Sequence, residues 1–370
     1  MRVLLLSAYD AHSHRRWREG LVAAFPEREW TLLTLPPRNF AWRIRGNSLS
    51  WAFGDRALLE RRHDLLVTTS MTDLSTLRGL VPALAQLPTL VYCHENQFAY
   101  PAGRQQPVRV ESMMVNLYTL LAADQVVFNS GWNRDSCLDG IQGLLAKMPD
   151  AVPPGVVAHI AAKSRVLPVP LETDWFMAEA GTVRKQPLTI VWNHRWEYDK
   201  GPERLFAALL QLHQAGMDFR VHVIGQQFRR QPAEFAAMQA SFGKYIGSWG
   251  MVQEEADYRY LLQQSDIVLS TALHEFQGLA VQEAVASGCI PLVPDRLAYP
   301  EYFAAPYRYP SYLDDPEREG AAIADRLLQW CRSGDGGGLP PVPDLSTLSW
   351  AAQKSAYAAE LGAWTLSHNY

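Results

Sequence analysis

The sequence is poor in cysteine, in long apolar runs and in net charge, and each shortage removes a class of protein. The four cysteines, Cys93, Cys137, Cys289 and Cys331, stand far apart with no C-x-x-C pair. That argues against a disulfide framework and for a reduced, cytoplasmic chain. No stretch reaches the ~18 apolar residues of a membrane span. The start, MRVLLLS, is too short for the core of a secretory signal and reads as a first buried strand. A formal net charge of −4 excludes wholesale nucleic-acid binding but leaves room for a local basic face. H-E-x-x-H, G-x-S-x-G and a Walker loop are absent, so the chemistries they carry have no foothold. His12 with His14, and His274 with Glu275, are pairs that lack a third ligand, and no metal is expected.

What is present is alternation. RVLLLSA, EWTLLTL, DLLVTTS, TLVYCH and DQVVFNS read as strands, and the series closes near SRVLPVPLE. Stretches of helical apolar spacing, LSTLRGLVPALAQL and VESMMVNLYTLLAA, lie between them. DWFMAEAGTVRKQP lacks periodicity and reads as a linker, after which the alternation restarts. LTIVWNH, FRVHVIG, KYIGSWG, DIVLST and CIPLVPD are strands; PERLFAALLQLHQAG, EEADYRYLLQQS and GLAVQEAVASG are helices. SGDGGGLPPVPD is a second break before a last helix, LSWAAQKSAYAAELGAW. This predicts an α/β chain with two Rossmann-like, doubly wound domains facing a cleft. The domains are expected at 1–171 and 188–345, with a hinge at 172–187 and a closing helix at 346–370.

Ligands bind such sheets at the carboxyl ends of the strands. There HEFQGLAVQEAVASG places Glu275 on a loop, a helix start at Gly278 and Glu283 inside the helix. A helix N-terminus favours a phosphate, and a carboxylate beside it suits paired sugar hydroxyls. A nucleotide sugar would use all three: hexose on Glu275, phosphates on the helix start, ribose on Glu283. A bare E-x7-E is more often an ordinary helix flanked by surface glutamates; two other stretches weigh against that. WNHRWEYDKGPERL carries Arg195 and Lys200 at a strand end, where two cations can neutralise a leaving diphosphate. YCHENQFAYP sets His94, Glu95, Asn96 and Gln97 together at another strand tip.

Together these features resemble retaining glycosyltransferases of the GT-B fold, family 4. A narrower resemblance, carried by LPPRNFAWRIRGNSLSWAFG, VYCHENQFAYP, VVFNSGWNRDSCL and WNHRWEYDKGP, is to the tRNA-queuosine alpha-mannosyltransferase family. It implies mannose transfer from GDP-mannose to the cyclopentenediol of queuosine at the wobble position of tRNA for aspartate. It also implies no catalytic metal or cofactor and a last helix that crosses back to the first domain. Arg195, Lys200 and the helix start Gly278, Leu279 and Ala280 would stabilise the diphosphate, and His94 would contact the sugar or the acceptor. The glycine-rich turn common after the first strand is missing from SAYDAHSHRRW, and Ser13 with His14 is expected in its place. Asn129 and Ser130 are candidates to line the cleft.

Residues 1–62 hold 11 Arg against 6 acidic residues. One cluster is His12, His14, Arg15, Arg16, Trp17 and Arg18; the other is Arg38, Phe40, Trp42, Arg43 and Arg45, in PPRNFAWRIRGNS, which reads as a loop. Arginines interleaved with aromatics suit phosphate contact and base stacking, although alone they are as readily a solvated face. With the resemblance they become the expected tRNA surface. Two rivals stand beside this: a family 4 transferase with a lipid or small-molecule acceptor, and a non-catalytic tRNA- or nucleotide-sugar-binding protein. A membrane acceptor would call for an exposed basic amphipathic helix in the first domain; no stable membrane association is expected. The residues leave the oligomeric state open.

Overall fold

A computed structural model describes residues 1–99, 110–176, 187–332 and 338–363. The chain forms two compact units. One comprises residues 1–170 with the helix Trp350–Gly362; the other is Leu171–Ser349. Most of the expected linker (177–186) and the start of the second break (333–337) lie outside the described residues. The expected linker begins, however, with Trp175 packed in the core of the second unit.

The first unit has six parallel strands: β1 (Arg2–Ser7), β2 (Glu29–Thr34), β3 (Leu65–Thr69), β4 (Thr89–Cys93), β5 (Gln125–Phe128) and β6 (Ser164–Val166), in the order β2-β1-β3-β4-β5-β6. The second has β7 (Leu188–Asn193), β8 (Phe219–Ile224), β9 (Ile246–Gly250), β10 (Ile267–Leu269), β11 (Ile290–Pro294) and β12 (Arg308–Tyr309), in the order β12-β11-β10-β7-β8-β9. β3, β4 and β11 are buried along their whole length, which is why they carry no charged residue: helices cover both faces of a parallel sheet. The chain winds outward from β1 to β2 and then returns to β3 on the other side. It does the same from β7 to β8 and β9, returning at β10. The switch points between β1 and β3, and between β7 and β10, are where loops part at the carboxyl ends and ligands enter.

Two local expectations are corrected, and one short strand was not anticipated. LSTLRGLVPALAQL is not one helix: Leu74–Leu80 is helical, Val81 breaks out of it before Pro82, and Pro82–Leu84 is a single 3-10 turn. β12 is too short to announce itself. The segment read as a loop, PPRNFAWRIRGNS, enters a helix at Phe40 that runs to Gly54. Its buried stripe is Ile44, Asn47, Ser48, Trp51 and Ala52, a proper helical spacing with two polar members. They are matched inside: Asn47 Nδ2 donates to the Met71 carbonyl at 3.1 Å and Ser48 Oγ to that of Asp73 at 2.5 Å. A reading that looked for apolar period alone passed over it.

The helix Trp350–Gly362 belongs to the first unit, as the resemblance implied. Trp350 lies on Gly20, where a Cβ would come within 2.4 Å of the indole. The Trp17 indole N–H donates to the Tyr357 hydroxyl (3.2 Å), which lies 3.0 Å from the Pro168 carbonyl oxygen. Trp17, 1% exposed and stacked on Tyr92, is core and not part of a surface cluster.

Gly201 closes the turn after Lys200 at φ +64, and a Cβ there would meet the Thr271 carbonyl oxygen at 2.2 Å. Gly216 has the same backbone (φ +68) and open space around it. Gly216→Ala should therefore lose only the left-handed penalty, about 1–2 kcal/mol. Gly201→Ala adds a backbone collision and should lower the unfolding midpoint clearly further; equal midpoints in thermal or urea unfolding would contradict this.

Candidate active site

The loops after β7 and β10 meet at the second switch point. Lys200 ends the 3-10 turn Tyr198–Lys200 and is 6% exposed. Its Nζ donates to the His274 carbonyl at 2.7 Å and to Glu275 Oε2 at 3.2 Å, and lies 3.5 Å from Asp199 Oδ2. The backbones are joined as well: Leu273 and His274 N–H donate to the Asp199 carbonyl at 2.8 and 3.1 Å, and Thr271 Oγ1 donates to the Lys200 carbonyl at 2.7 Å. Burial alone would raise the Glu275 carboxyl. Lys200 overrides it and holds the group at about 2, so it is ionised. His194, buried beside Lys200, is pushed down to about 3 and is neutral; its Nε2 is 2.9 Å from Ser270 Oγ.

Arg195 is half exposed and pairs with Glu197 at 2.9 Å, with Asp199 at 4.0 Å. The loop is thus less cationic than the expected pair suggested. Glu197 and Asp199, between the two cations in sequence, and Glu275 set three carboxylates against two positive groups. Three oxygens thus surround the Lys200 ammonium, two at hydrogen-bond distance and the Asp199 carboxylate at 3.5 Å. The helix Leu279–Ala286 begins at Gly278 (φ 84), and among the described residues no side chain caps it. The amides of Leu279 and Ala280 precede the first intrahelical bond, Gln282 N–H to the Gly278 carbonyl. Glu283 is buried and accepts from the Tyr258 hydroxyl at 3.4 Å. Asn193 Nδ2 lies 2.9 Å from that hydroxyl and 2.8 Å from the Ala280 carbonyl. The sequence reading missed Asn193 and Tyr258 because their meeting depends on the fold.

In the first unit, His94 follows β4 and is 5% exposed, stacked on His14 (centroids 4.1 Å, 20° apart) and edge-on to Trp17. Burial, with His14 nearby, holds its pKa well below the ordinary value, so the ring is neutral. Among the described residues neither ring nitrogen has a hydrogen-bond partner, nor do the buried hydroxyls of Ser7 and Thr69 at the ends of β1 and β3. Glu95 Oε2 lies 3.7 Å from His14 Nε2, and Ser13 is half-buried on the same first turn as His14.

Other expected acceptor residues are bonded into the loop around His94. Asn96 Nδ2 donates to Asn133 Oδ1 (2.9 Å) and its Oδ1 accepts from the Phe98 and Ala99 N–H groups. Asn129 Nδ2 donates to the His94 carbonyl at 2.9 Å, and Ser130 caps the helix Gly131–Leu145 by accepting from Asn133 N–H. Gln97 is buried, with its N–H on Asn116 Oδ1. These groups build the loop that carries His94, and Asn133, which the sequence reading did not single out, is their centre. Arg43 is buried, whereas Arg38, Trp42 and Arg45 are exposed. Among the described residues no group of three or more His, Cys, Asp or Glu could hold a metal ion, and no helix is long and apolar enough to cross a membrane.

Residues 2–171 match the family model described as tRNA-queuosine alpha-mannosyltransferase N-terminal, and residues 174–335 match Glycosyl transferases group 1. A tRNA-queuosine alpha-mannosyltransferase from Drosophila melanogaster is 31% identical over 340 residues, covering 89% of this chain and 87% of the relative. Among solved structures, sucrose-phosphate synthase from Thermosynechococcus elongatus superposes with a TM-score of 0.66 at 13% identity, covering 99% of this chain and 98% of that one. Trehalose-6-phosphate from E. coli bound with UDP-2-fluoro glucose does so at 0.63 and 15% identity, covering 99% and 95%. These structural neighbours share the GT-B fold.

The Lys200–Glu275 pair fixes a pH dependence. A carboxyl held at about 2, against an ordinary value of 4.5, adds stability that is complete above the ordinary value and is lost as pH falls towards 2. Without Lys200 the burial of Glu275 has little to oppose it, and its pKa should rise above 4.5. Lys200→Met should then regain stability as pH falls from 7 to 4 while the wild type does not. The gap between their thermal midpoints should narrow on acidification; a gap that stays constant contradicts the assignment.

Proposed function

The chain belongs to the tRNA-queuosine alpha-mannosyltransferase family and is a glycosyltransferase, and we propose that it moves mannose from GDP-mannose to queuosine in tRNA with retention at the anomeric carbon. The observation that carries the donor side is the ionised Glu275 on buried Lys200 at the second switch point. In this reading Glu275 accepts hydrogen bonds from hexose hydroxyls and Glu283 from the ribose. Lys200, the amides of Leu279 and Ala280, and Arg195 after it leaves Glu197 stabilise the departing diphosphate. The C1–O bond to phosphate breaks and a bond from the acceptor oxygen to C1 forms on the same face. The acceptor proton passes to the departing phosphate oxygen. His94, a neutral ring with unpartnered nitrogens, is suited to a sugar or acceptor hydroxyl. No step calls for a metal.

The tRNA side rests on the helix Phe40–Gly54. Among its side chains Trp42 and Arg45 point to solvent, and it contains no acidic residue. A Cβ on Gly46 would lie 2.6 Å from the Trp42 indole, so the ring lies flat on the helix with its other face outward, as base stacking requires. Arg38 adds a phosphate contact; buried Arg43 is dropped from the surface. One observation favours the lipid-acceptor rival: the same helix exposes Leu49 and Phe53, the latter 75% exposed. An exposed helix of apolar and basic residues is what that rival calls for.

Three measurements separate these readings. Queuosine-containing tRNA incubated with the protein and a panel of nucleotide sugars should gain a hexose on queuosine with GDP-mannose alone, by nucleoside mass spectrometry. Donor turnover without modified nucleoside would keep the transferase and discard the RNA acceptor. Lys200→Ala should lose roughly 10²-fold in turnover; comparable turnover sinks the leaving-group role. Arg45→Ala should reduce the salt dependence of tRNA binding by about one phosphate contact, whereas liposome binding stronger than tRNA binding would favour the lipid reading.

A further inference from the structure

Behind the Lys200–Glu275 pair lies a group of buried charges that takes no part in the proposed chemistry. Glu319, on the helix Pro316–Cys331, is 0% exposed, a costly place for a carboxylate unless it is fully partnered. Arg296 grips it with both ends of its fork, at 2.7 Å to Oε1 and 2.8 Å to Oε2. Arg204 Nε is 3.1 Å from Oε1, and the Tyr312 N–H donates to Oε2 at 2.7 Å. Arg204 stands on the helix Pro202–Gln214, which starts where Lys200 and Gly201 end.

Stability alone does not account for this group, since buried ion pairs are often matched by apolar residues of the same volume. The other edge of Arg296 is more telling. Its Nε donates to the Ala272 carbonyl at 2.9 Å and its Nη2 reaches the Thr271 carbonyl at 3.4 Å. The preceding carbonyl, of Ser270, accepts from the Tyr309 hydroxyl at 2.7 Å. Three consecutive carbonyls leaving β10 are therefore held by side chains from beyond β11. The next two residues donate to the Asp199 carbonyl, and the residue after them is Glu275. Tyr299, three residues beyond Arg296, bonds the Ser270 hydroxyl at 2.6 Å and its ring abuts Gly278. Leu297, beside Arg296, holds φ at 59, a left-handed backbone that an L-residue keeps only where its surroundings enforce it.

We propose that Arg296, anchored by Glu319, is a positioning residue for Glu275: its guanidinium fixes the loop 270–275 so that the carboxylate stays on Lys200. The catalytic consequence rests on the role given to Glu275 above; the structural consequence does not. Arg296→Lys keeps the charge and loses the fork. Without any ligand, hydrogen–deuterium exchange of that variant should quicken by ~10-fold or more, as loss of local protection allows, in peptides spanning 270–276, with the amides of Leu273 and His274 included. Peptides from β7 and β8 should be unchanged. Unchanged exchange at 270–276, or a uniform rise across the second unit, would overturn the proposal. Should Arg296→Lys fail to fold, Glu319→Gln removes the anchor's charge at constant shape and carries the same comparison. In transfer assays Arg296→Lys should lower kcat/KM in the wild-type background and lower it no further in a Glu275→Gln background. Additive losses would show that it acts elsewhere. A wild type without transfer activity would count against the proposed function and leave the exchange result to decide the positioning.

Discussion

A buried ammonium is the constraint on which the second unit's site depends. Lys200 is taken almost out of water, and such a charge persists only where partners replace its hydration. The chain supplies them from two loops of neighbouring strands: the His274 carbonyl, Glu275 and Asp199. For those groups to converge, the turn after Lys200 must pass within van der Waals reach of Thr271, which glycine at 201 permits. The loop after β10 must also hold one path, which is where Arg296 and Glu319 enter. The ion pair and the positioning group are two layers of one arrangement, in which each buried charge dictates the next.

The first unit solves a different problem at its own strand ends. Around His94 it assembles a neutral imidazole stacked among aromatics, its nitrogens without a hydrogen-bond partner among the described residues. The rigidity comes from amides and hydroxyls: Asn96, Asn129, Ser130 and Asn133 bind one another and the backbone around His94. A ring so held is suited to hydrogen-bonding a neutral hydroxyl, while an ionised carboxylate on a lysine is suited to a sugar attached to an anionic leaving group. The family to which the chain belongs gives both arrangements a common purpose in the reading proposed here.

Much of the fold was legible because doubly covered strands such as LLVTT and TLVYC carry no charged residue and are rich in β-branched and aliphatic side chains. The E-x7-E stretch was legible for a related reason: Gly278 and Gly288 bracket the helix and so place Glu275 outside it and Glu283 within. The helix Phe40–Gly54 was hidden by its own polar core positions, Asn47 and Ser48, each with a partner more than 20 residues away. Asn129 and Ser130 looked like site residues because polar groups at strand tips often are; only the structure shows them bonded to the His94 carbonyl and to a helix start. Glu319 and Arg296 carried no signal at all, since the two glutamates in PEREGAAIADRLL read alike as a solvated helix face. Long-range partners decide such residues, and spacing along the chain does not record them.

The most direct test of the central claim is a structure of the protein with a 2-fluoro analogue of GDP-mannose, which resists transfer. The diphosphate should lie within hydrogen-bond reach of Lys200 Nζ and the amides of Leu279 and Ala280, with hexose hydroxyls on Glu275. A nucleotide sugar bound elsewhere, with the Lys200–Glu275 pair untouched, would contradict it.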